Sequence, residues 1–204
     1  MSSFPKRDEI KRAVIDSVNE LIVEFQRSPY LFLYEEDLQA TLFGKLRARL
    51  PGSMDLDRSG SGAFPYRLGW VYTEYNGRVD IACLDPERVW ALARVPHKGF
   101  DTYIYNLPMW IGIELKYRKM GDRLTFESCL ADLKKLRGHA GDIPVPFVLA
   151  FVQDQEDVHL FMNQASELPG SVRWGAGEVA EVSELDAAYV VSPQAILRVA
   201  VPTD

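Results

Sequence analysis

The stretch Ile111-Gly-Ile-Glu-Leu-Lys-Tyr117 decides how the rest of this 204-residue chain is interpreted. Its apolar residues alternate with Gly112, Glu114 and Lys116, and a β-strand sends alternate side chains to opposite faces. Glu114 and Lys116 therefore share one face, with Cα atoms roughly 7 Å apart. A buried charge is costly unless it is paired or binds a metal. The alternatives are thus a chemical site and a half-exposed strand whose charges point to water.

A pair of strands is predicted upstream, over Trp70–Tyr75 and Arg78–Cys83. The Asn-Gly pair between them favours a two-residue type I′ turn, which makes the two strands a hairpin. The resulting register places Thr73 opposite Asp80 and turns Glu74 away from Asp80. We therefore leave Glu74 out of the predicted site.

A helix is predicted over about residues 35–50, where four leucines recur every fourth residue from Leu38 to Leu50. At about 100° per residue, Glu35 lies inside this apolar stripe and Glu36 lies a quarter-turn away. Glu35 is therefore the better candidate for an inward-facing acid. The other interpretation, that both glutamates only favour the positive end of the helix dipole, stays open.

Together these residues resemble the PD-(D/E)xK, or restriction-endonuclease-like, nuclease superfamily. Asp80 follows an apolar residue, and Glu114-Leu-Lys116 stands in a later strand, as in the motif of that superfamily. Val79 occupies the position of the motif's proline. Residues 34–46 resemble the first core helix, and residues 126–136 resemble the helix that follows the ExK strand.

The resemblance implies an α/β fold with a restriction-endonuclease-like core. Its central mixed β-sheet would be flanked by helices in the order αβββαβ, with an extra N-terminal helix over about residues 5–27. We expect one domain over residues 1–204, with a core at about 34–152. The acidic residues 153–204 would form a C-terminal extension packed on that core.

The resemblance also implies a function: metal-dependent endonuclease cleavage of phosphodiester bonds in nucleic acid, with DNA as the expected substrate. Its metal ligands would be Asp80, Glu114 and the backbone carbonyl of Leu115, with Glu35 as a further acid. Such hard oxygen ligands suit Mg²⁺ or Mn²⁺. Lys116 would either position or deprotonate the attacking water or stabilise charge on the phosphate, and the spacing does not choose between these roles.

Charge is the main argument against nucleic acid, because the chain carries a net charge of −6 and phosphate binding relies on Lys and Arg. Residues 153–204 contain nine acids and two arginines, so the first 152 residues are close to neutral, with 21 basic and 20 acidic residues. Arg118, Lys119 and Lys135 are weaker candidates for substrate binding. The commoner role for these residues, and for Asp132, is a solvated helix or strand surface.

Other sequence features limit the expected cofactors, partners and location. Cys83 and Cys129 lack metal-ligand spacing, so neither zinc nor a disulfide framework is expected. The longest apolar run, Val145–Val152, is too short to span a bilayer, and the N-terminus has no signal core, so we expect no membrane partner and a cytoplasmic location. Residues 85–108 are predicted to form an extra hairpin.

Two functional classes remain open, and a third possibility is that the motif is accidental and the protein is an unrelated α/β domain. The alternative to the endonuclease is a catalytically inactive module of the same fold that binds protein or nucleic acid, because a fold alone does not establish activity. A homodimer is geometrically reasonable, since small nucleases often cut the two strands with two subunits.

Overall fold

The computed structural model describes residues 4–56, 66–75, 79–93, 107–119, 121–122, 126–138, 143–154, 172–174, 181–185 and 187–199. Within these ranges the chain forms four α-helices, one short 3-10 helix, a seven-stranded sheet and a two-stranded sheet. The helices are α1 (Arg7–Arg27), the 3-10 helix Pro29–Leu31, α2 (Glu35–Arg49), α3 (Pro86–Ala93) and α4 (Phe126–Gly138). The strands are β1 (Met54–Leu56), β2 (Tyr66–Leu68), β3 (Val71–Tyr75), β4 (Val79–Leu84), β5 (Met109–Arg118), β6 (Val145–Val152), β7 (Val172–Trp174), β8 (Ala188–Val191) and β9 (Ile196–Val199).

The large sheet is mixed, with the strand order β3-β4-β5-β6-β8-β9-β7. β5 pairs in parallel with β6, and β6 in parallel with β8, whereas the other neighbours are antiparallel. α4 connects β5 to β6, as a parallel pair requires a crossover. The predicted α/β architecture, a mixed sheet flanked by helices, is therefore confirmed.

Helices cover both faces of the sheet. Phe25 of α1 packs with its ring centroid 6.5 Å from that of Tyr117 and 4.8 Å from that of Phe151. Lys116 points to the other face of β5 and pairs with Asp132 of α4. Because successive residues of a strand face opposite sides, α1 and α4 lie on opposite faces. This burial on both sides explains why β6 is apolar along its whole length.

The predicted register of the β3–β4 hairpin is wrong by one residue. Thr73 lies opposite Ile81 and Tyr75 lies opposite Val79, so three residues separate the paired ends where the Asn-Gly rule allows two. The turn itself falls outside the described residues. Glu74 has a positive φ of 48°, an uncommon conformation for a residue with a side chain. In the observed register Glu74 lies beside Asp80, and its exclusion from the site must be corrected.

The prediction of a hairpin over residues 85–108 is also wrong where the structure describes this segment. Residues Pro86–Ala93 form α3. The buried carboxylate of Asp85 accepts hydrogen bonds from the backbone N–H groups of Glu87 and Arg88, at 3.1 and 3.2 Å, and so caps the new helix. Residues 94–106 lie outside the described part.

The described part of the C-terminal extension continues the central sheet. β8 adds to the free edge of β6, and β9 and β7 follow it. The extension therefore shares the sheet's hydrogen bonding and contributes a row of buried residues in β8.

Candidate functional site

Asp80 and Glu114 come from neighbouring antiparallel strands, β4 and β5. Ile81 pairs with Ile113, and one further step of this register places Asp80 beside Glu114. The carboxylate of Asp80 is fixed by the backbone N–H of Leu115, which donates a hydrogen bond of 2.6 Å to Oδ2. The long connection between the two strands in the sequence does not separate the two acids.

Lys116 extends from the same face of β5 as Glu114, as the alternation predicts. Its Nζ lies 3.1 Å from Oε1 of Glu114 and 3.0 Å from the carbonyl oxygen of Leu115. Burial opposes the charge of this ammonium, but the carboxylates of Glu114 and Glu35 outweigh burial and raise the pKa of Lys116. Lys116 is thus a counterion shared among several acids.

Glu35 is the first residue of α2 and points toward the sheet. Its Oε2 accepts a hydrogen bond of 2.9 Å from the backbone N–H of Tyr117, next to Lys116. Glu36 is exposed. The choice of Glu35 over Glu36 from the helical period is therefore confirmed as a matter of geometry.

Asp132 of α4 also belongs to the cluster, contrary to the surface position favoured by the sequence. Its Oδ2 lies 3.5 Å from Nζ of Lys116, and its side chain is mostly shielded from solvent. Asp132 stands three residues after buried Cys129 and one before buried Leu133, so helical spacing could have placed it on the inward face.

Gln39 and Glu74 complete the rim of the site, and neither was among the predicted residues. Nε2 of Gln39 donates a hydrogen bond of 2.7 Å to Glu74 and one of 2.9 Å to the backbone carbonyl of Asp80. Gln39 lies one helical turn after Glu35, so the period of α2 offered a signal for Gln39. The register error hid Glu74.

The pKa values show how negative charge accumulates here. Burial raises the pKa of Glu35, Asp80 and Glu114 above their ordinary values. The charge of Asp80 raises the pKa of Glu114 further, and Glu74 does the same for Asp80. The charge of Lys116 acts in the opposite direction on all three acids, but it lowers each pKa by less than burial raises it.

The three weaker substrate-binding candidates lie in different environments. Arg118 is only 8% exposed, which leaves little of its guanidinium for a ligand. Lys119 is exposed, and its Nζ lies 5.0 Å from the centroid of the Tyr34 ring. Lys135 is exposed on α4, in keeping with a solvated helix surface.

The types of ligand atom at this site suit a divalent cation. Asp80, Glu114 and the Leu115 carbonyl offer hard oxygen ligands, and an added cation would relieve the raised pKa of both carboxylates. Two of these ligands contact the ammonium of Lys116. Within the described residues, no group of three or more His, Cys, Asp or Glu side chains is arranged as a metal site. Metal binding here would therefore require Lys116 to move.

Comparison of the chain with protein-family models, curated proteins and solved structures finds no match. Among the described helices, none is both long and apolar enough to cross a bilayer.

Proposed function

We propose that this protein is a magnesium- or manganese-dependent endonuclease of the PD-(D/E)xK type, with a restriction-endonuclease-like core, acting on DNA. The observation that carries the proposal is the convergence of Asp80, Glu114 and Lys116 at one place on two paired strands, with Glu35 arriving from α2. The order of elements from α2 to β6 supports the same class, with the separate β1–β2 sheet inserted between α2 and β3 and with α3 inserted between β4 and β5.

The proposed reaction is hydrolysis of a phosphodiester bond. The oxygen of a water attacks phosphorus, the bond to one ester oxygen breaks, and the products are a phosphate monoester and a hydroxyl group. A phosphodiester repels an anionic nucleophile, so the site must supply positive charge and a water that loses its proton. A bound divalent cation would polarise the phosphate and lower the pKa of that water.

The chain's own residues divide this work. Asp80 and Glu114 would hold the cation together with the Leu115 carbonyl, and the Leu115 N–H keeps the Asp80 carboxylate oriented. Glu35, fixed by the Tyr117 N–H, adds a further carboxylate beside this position. Lys116, released from Glu114 and Leu115, could contact the phosphate or the attacking water, and the geometry permits both roles.

The experiment is a cleavage assay on supercoiled plasmid, linear duplex DNA, single-stranded DNA and structured RNA. Each substrate is incubated with Mg²⁺, Mn²⁺ or EDTA and with wild type, Lys116→Ala or Lys11→Ala. Lys11 is an exposed lysine of α1 and serves as the matched control. We expect metal-dependent cleavage by wild type and Lys11→Ala, and none by Lys116→Ala. Equal cleavage by all three proteins would refute the assignment.

One observation favours the alternative, a module of this fold without hydrolytic activity. The ammonium of Lys116 already neutralises part of the acid cluster and contacts two of the proposed ligands. In that case the cluster would hold α2, α4 and the sheet together. Folded wild-type protein that binds nucleic acid or another protein but cleaves none of the substrates would support this alternative.

A further inference from the structure

Four exposed apolar side chains occupy the short segment between α1 and α2. Tyr30 is 75% exposed, Leu31 76%, Leu33 60% and Tyr34 59%. We call these four residues the Tyr-Leu patch. Isolated exposed apolar residues are ordinary, but four large ones within five positions make this segment a candidate interaction surface.

The backbone of this segment is held in place from several directions. Phe32, in the middle, is buried with its ring 5.9 Å from that of Phe25. The hydroxyl of Tyr117 donates a hydrogen bond of 2.6 Å to the carbonyl of Phe32. One carboxylate oxygen of Asp37 accepts hydrogen bonds from the N–H groups of Leu33 and Tyr34, at 2.8 and 3.0 Å. The patch is therefore presented on an anchored backbone.

The patch is continuous with the candidate active site. Tyr34 immediately precedes Glu35, and consecutive Cα atoms are about 3.8 Å apart. Tyr117 joins the two regions, because its hydroxyl holds Phe32 while its backbone N–H holds the carboxylate of Glu35. A ligand lying on the patch would thus extend directly to the acid cluster.

The charges at the edges of the patch suit a polyanion. Lys119 places its ammonium over the ring of Tyr34, and exposed Arg27 lies at the other end of the segment. Three acids follow the patch in the first turn of α2. Glu35 faces the sheet, Asp37 accepts the hydrogen bonds from Leu33 and Tyr34, and Glu36 is exposed. Aromatic rings beside cations form the usual platform on which unpaired bases stack while the cations contact phosphates.

We infer that the Tyr-Leu patch binds unpaired bases of a single-stranded nucleic acid whose backbone continues into the candidate active site. This inference rests on the proposed function and narrows its substrate to single strands or to duplexes with an unpaired segment. The faces of paired bases are stacked inside a duplex, so a duplex cannot use Tyr30 and Tyr34 in this way.

The test is fluorescence anisotropy with a labelled oligothymidylate in EDTA, where cleavage does not interfere. Tyr34→Ser and Tyr30→Ser should each weaken binding roughly tenfold, since one stacked base is lost. Tyr34→Phe keeps the ring and should bind like wild type. Val23→Ser removes an exposed apolar residue of α1 and is the matched control, expected to leave affinity unchanged. Equal affinity of wild type and both serine variants would overturn the inference.

Three further outcomes of the binding, cleavage and sedimentation experiments separate this inference from its alternatives. If wild type cleaves nucleic acid and the serine variants bind and cleave single strands normally, the patch assignment fails while the proposed function stands. If the variants lose single-strand binding but wild type cleaves no substrate, the patch assignment stands and the endonuclease fails. If sedimentation shows a wild-type dimer that Tyr30→Ser dissociates without loss of oligonucleotide affinity, the patch is an interface between copies and the inference is wrong.

Discussion

Two groups of buried charge in this protein differ in how completely they are satisfied. The first surrounds Asp85, a fully buried acid at the start of α3. Its carboxylate accepts hydrogen bonds from Nη2 and Nε of Arg7, at 2.6 and 3.3 Å, and from the N–H groups of Glu87 and Arg88. One acid is thus matched by one guanidinium and a helix N-terminus, as expected for a structural ion pair.

The second group is the acid cluster around Lys116. Here one ammonium is shared by Glu35, Asp80 and Glu114, and the pKa of each of these acids stays above its ordinary value. Natural proteins retain such unfavourable charge mainly at functional sites. The comparison teaches that the Asp85 group is complete within the chain, whereas the Lys116 group holds more acids than its one ammonium neutralises. The cation of the proposed function would offset this excess.

The largest expected effect is on cleavage activity, which should depend on the Lys116 group and not on the Asp85 group. Asp80→Asn should reduce metal-dependent cleavage about a hundredfold or more, because it removes a ligand of the proposed cation, whose positive charge would stabilise the transition state. Asp85→Asn should leave the rate per folded molecule unchanged, because Asp85 lies outside the cluster. Cleavage of the best substrate at low temperature, normalised to the folded fraction from circular dichroism, measures the two rates. Similar losses of cleavage activity in both variants would contradict the functional difference between the two groups.

The second prediction concerns stability, for which the Asp85 group should matter more than the Lys116 group. Asp85→Asn leaves the guanidinium of Arg7 without its charged partner and should lower the free energy of unfolding by about 2–3 kcal/mol. The loss stays at this moderate level because the Arg7 side chain is 33% exposed, so water can partly stabilise its unpaired charge. Urea denaturation measures the change. Glu87→Gln, which alters the exposed partner of Arg7, is the control and should change stability by less than about 1 kcal/mol.

A smaller stability effect of the opposite sign is expected at Asp80. Burial raises its pKa above the ordinary 3.8, so the folded protein holds this proton more tightly than the unfolded chain does. Ionisation of Asp80 therefore reduces stability as the pH rises through the window above 3.8. Asp80→Asn, which can still accept the Leu115 hydrogen bond, should be more stable than wild type at neutral pH by about 1 kcal/mol.

The pH dependence of that difference provides the check. The advantage of Asp80→Asn should vanish as the pH falls below 3.8, where Asp80 is protonated in both the folded and the unfolded state. Thermal unfolding of the two proteins at a series of pH values measures it. An advantage that persists unchanged at acid pH would show that packing, and not charge, is its cause.

The smallest effect is expected at the rim of the cluster. Gln39→Leu removes two hydrogen bonds at the rim of the cluster. One goes to the Glu74 carboxylate and the other to the backbone carbonyl of Asp80. Because β4 is then held less firmly, we expect the activation free energy of cleavage to rise by about 1 kcal/mol. This rise corresponds to roughly fivefold slower cleavage. Single-turnover kinetics on the best substrate measures the change, and a hundredfold loss would place Gln39 in direct contact with the reacting groups.

Local patterns predicted much of this fold. The leucine period located α2 and chose Glu35 over Glu36, and strand alternation placed Glu114 and Lys116 on one face. These predictions held because each depends on geometry within one element. The apolar run of β6 likewise indicated a strand covered on both faces.

The errors arose where contacts between elements decide the structure. The Asn-Gly rule gave a two-residue turn, but packing sets a register with three residues between the strands. That shift alone concealed Glu74. Asp85 followed by Pro86 is a local signal for a helix start that the hairpin prediction overlooked. The ion pair of Asp85 with Arg7, 78 residues away in the sequence, has no local signal. Asp132 was assigned to the surface, because only the packing of α4 against β5 shows its approach to Lys116.

The most direct test of the central claim is calorimetric titration of Mn²⁺ into wild type, Asp80→Asn and Asp85→Asn. If the acid cluster receives a divalent cation, wild type and folded Asp85→Asn should bind Mn²⁺, and their affinity should fall as the pH is lowered, because protons compete with the cation for carboxylates of raised pKa. Asp80→Asn should bind much more weakly. Absence of binding in wild type, or the same affinity in wild type and Asp80→Asn, would contradict the account.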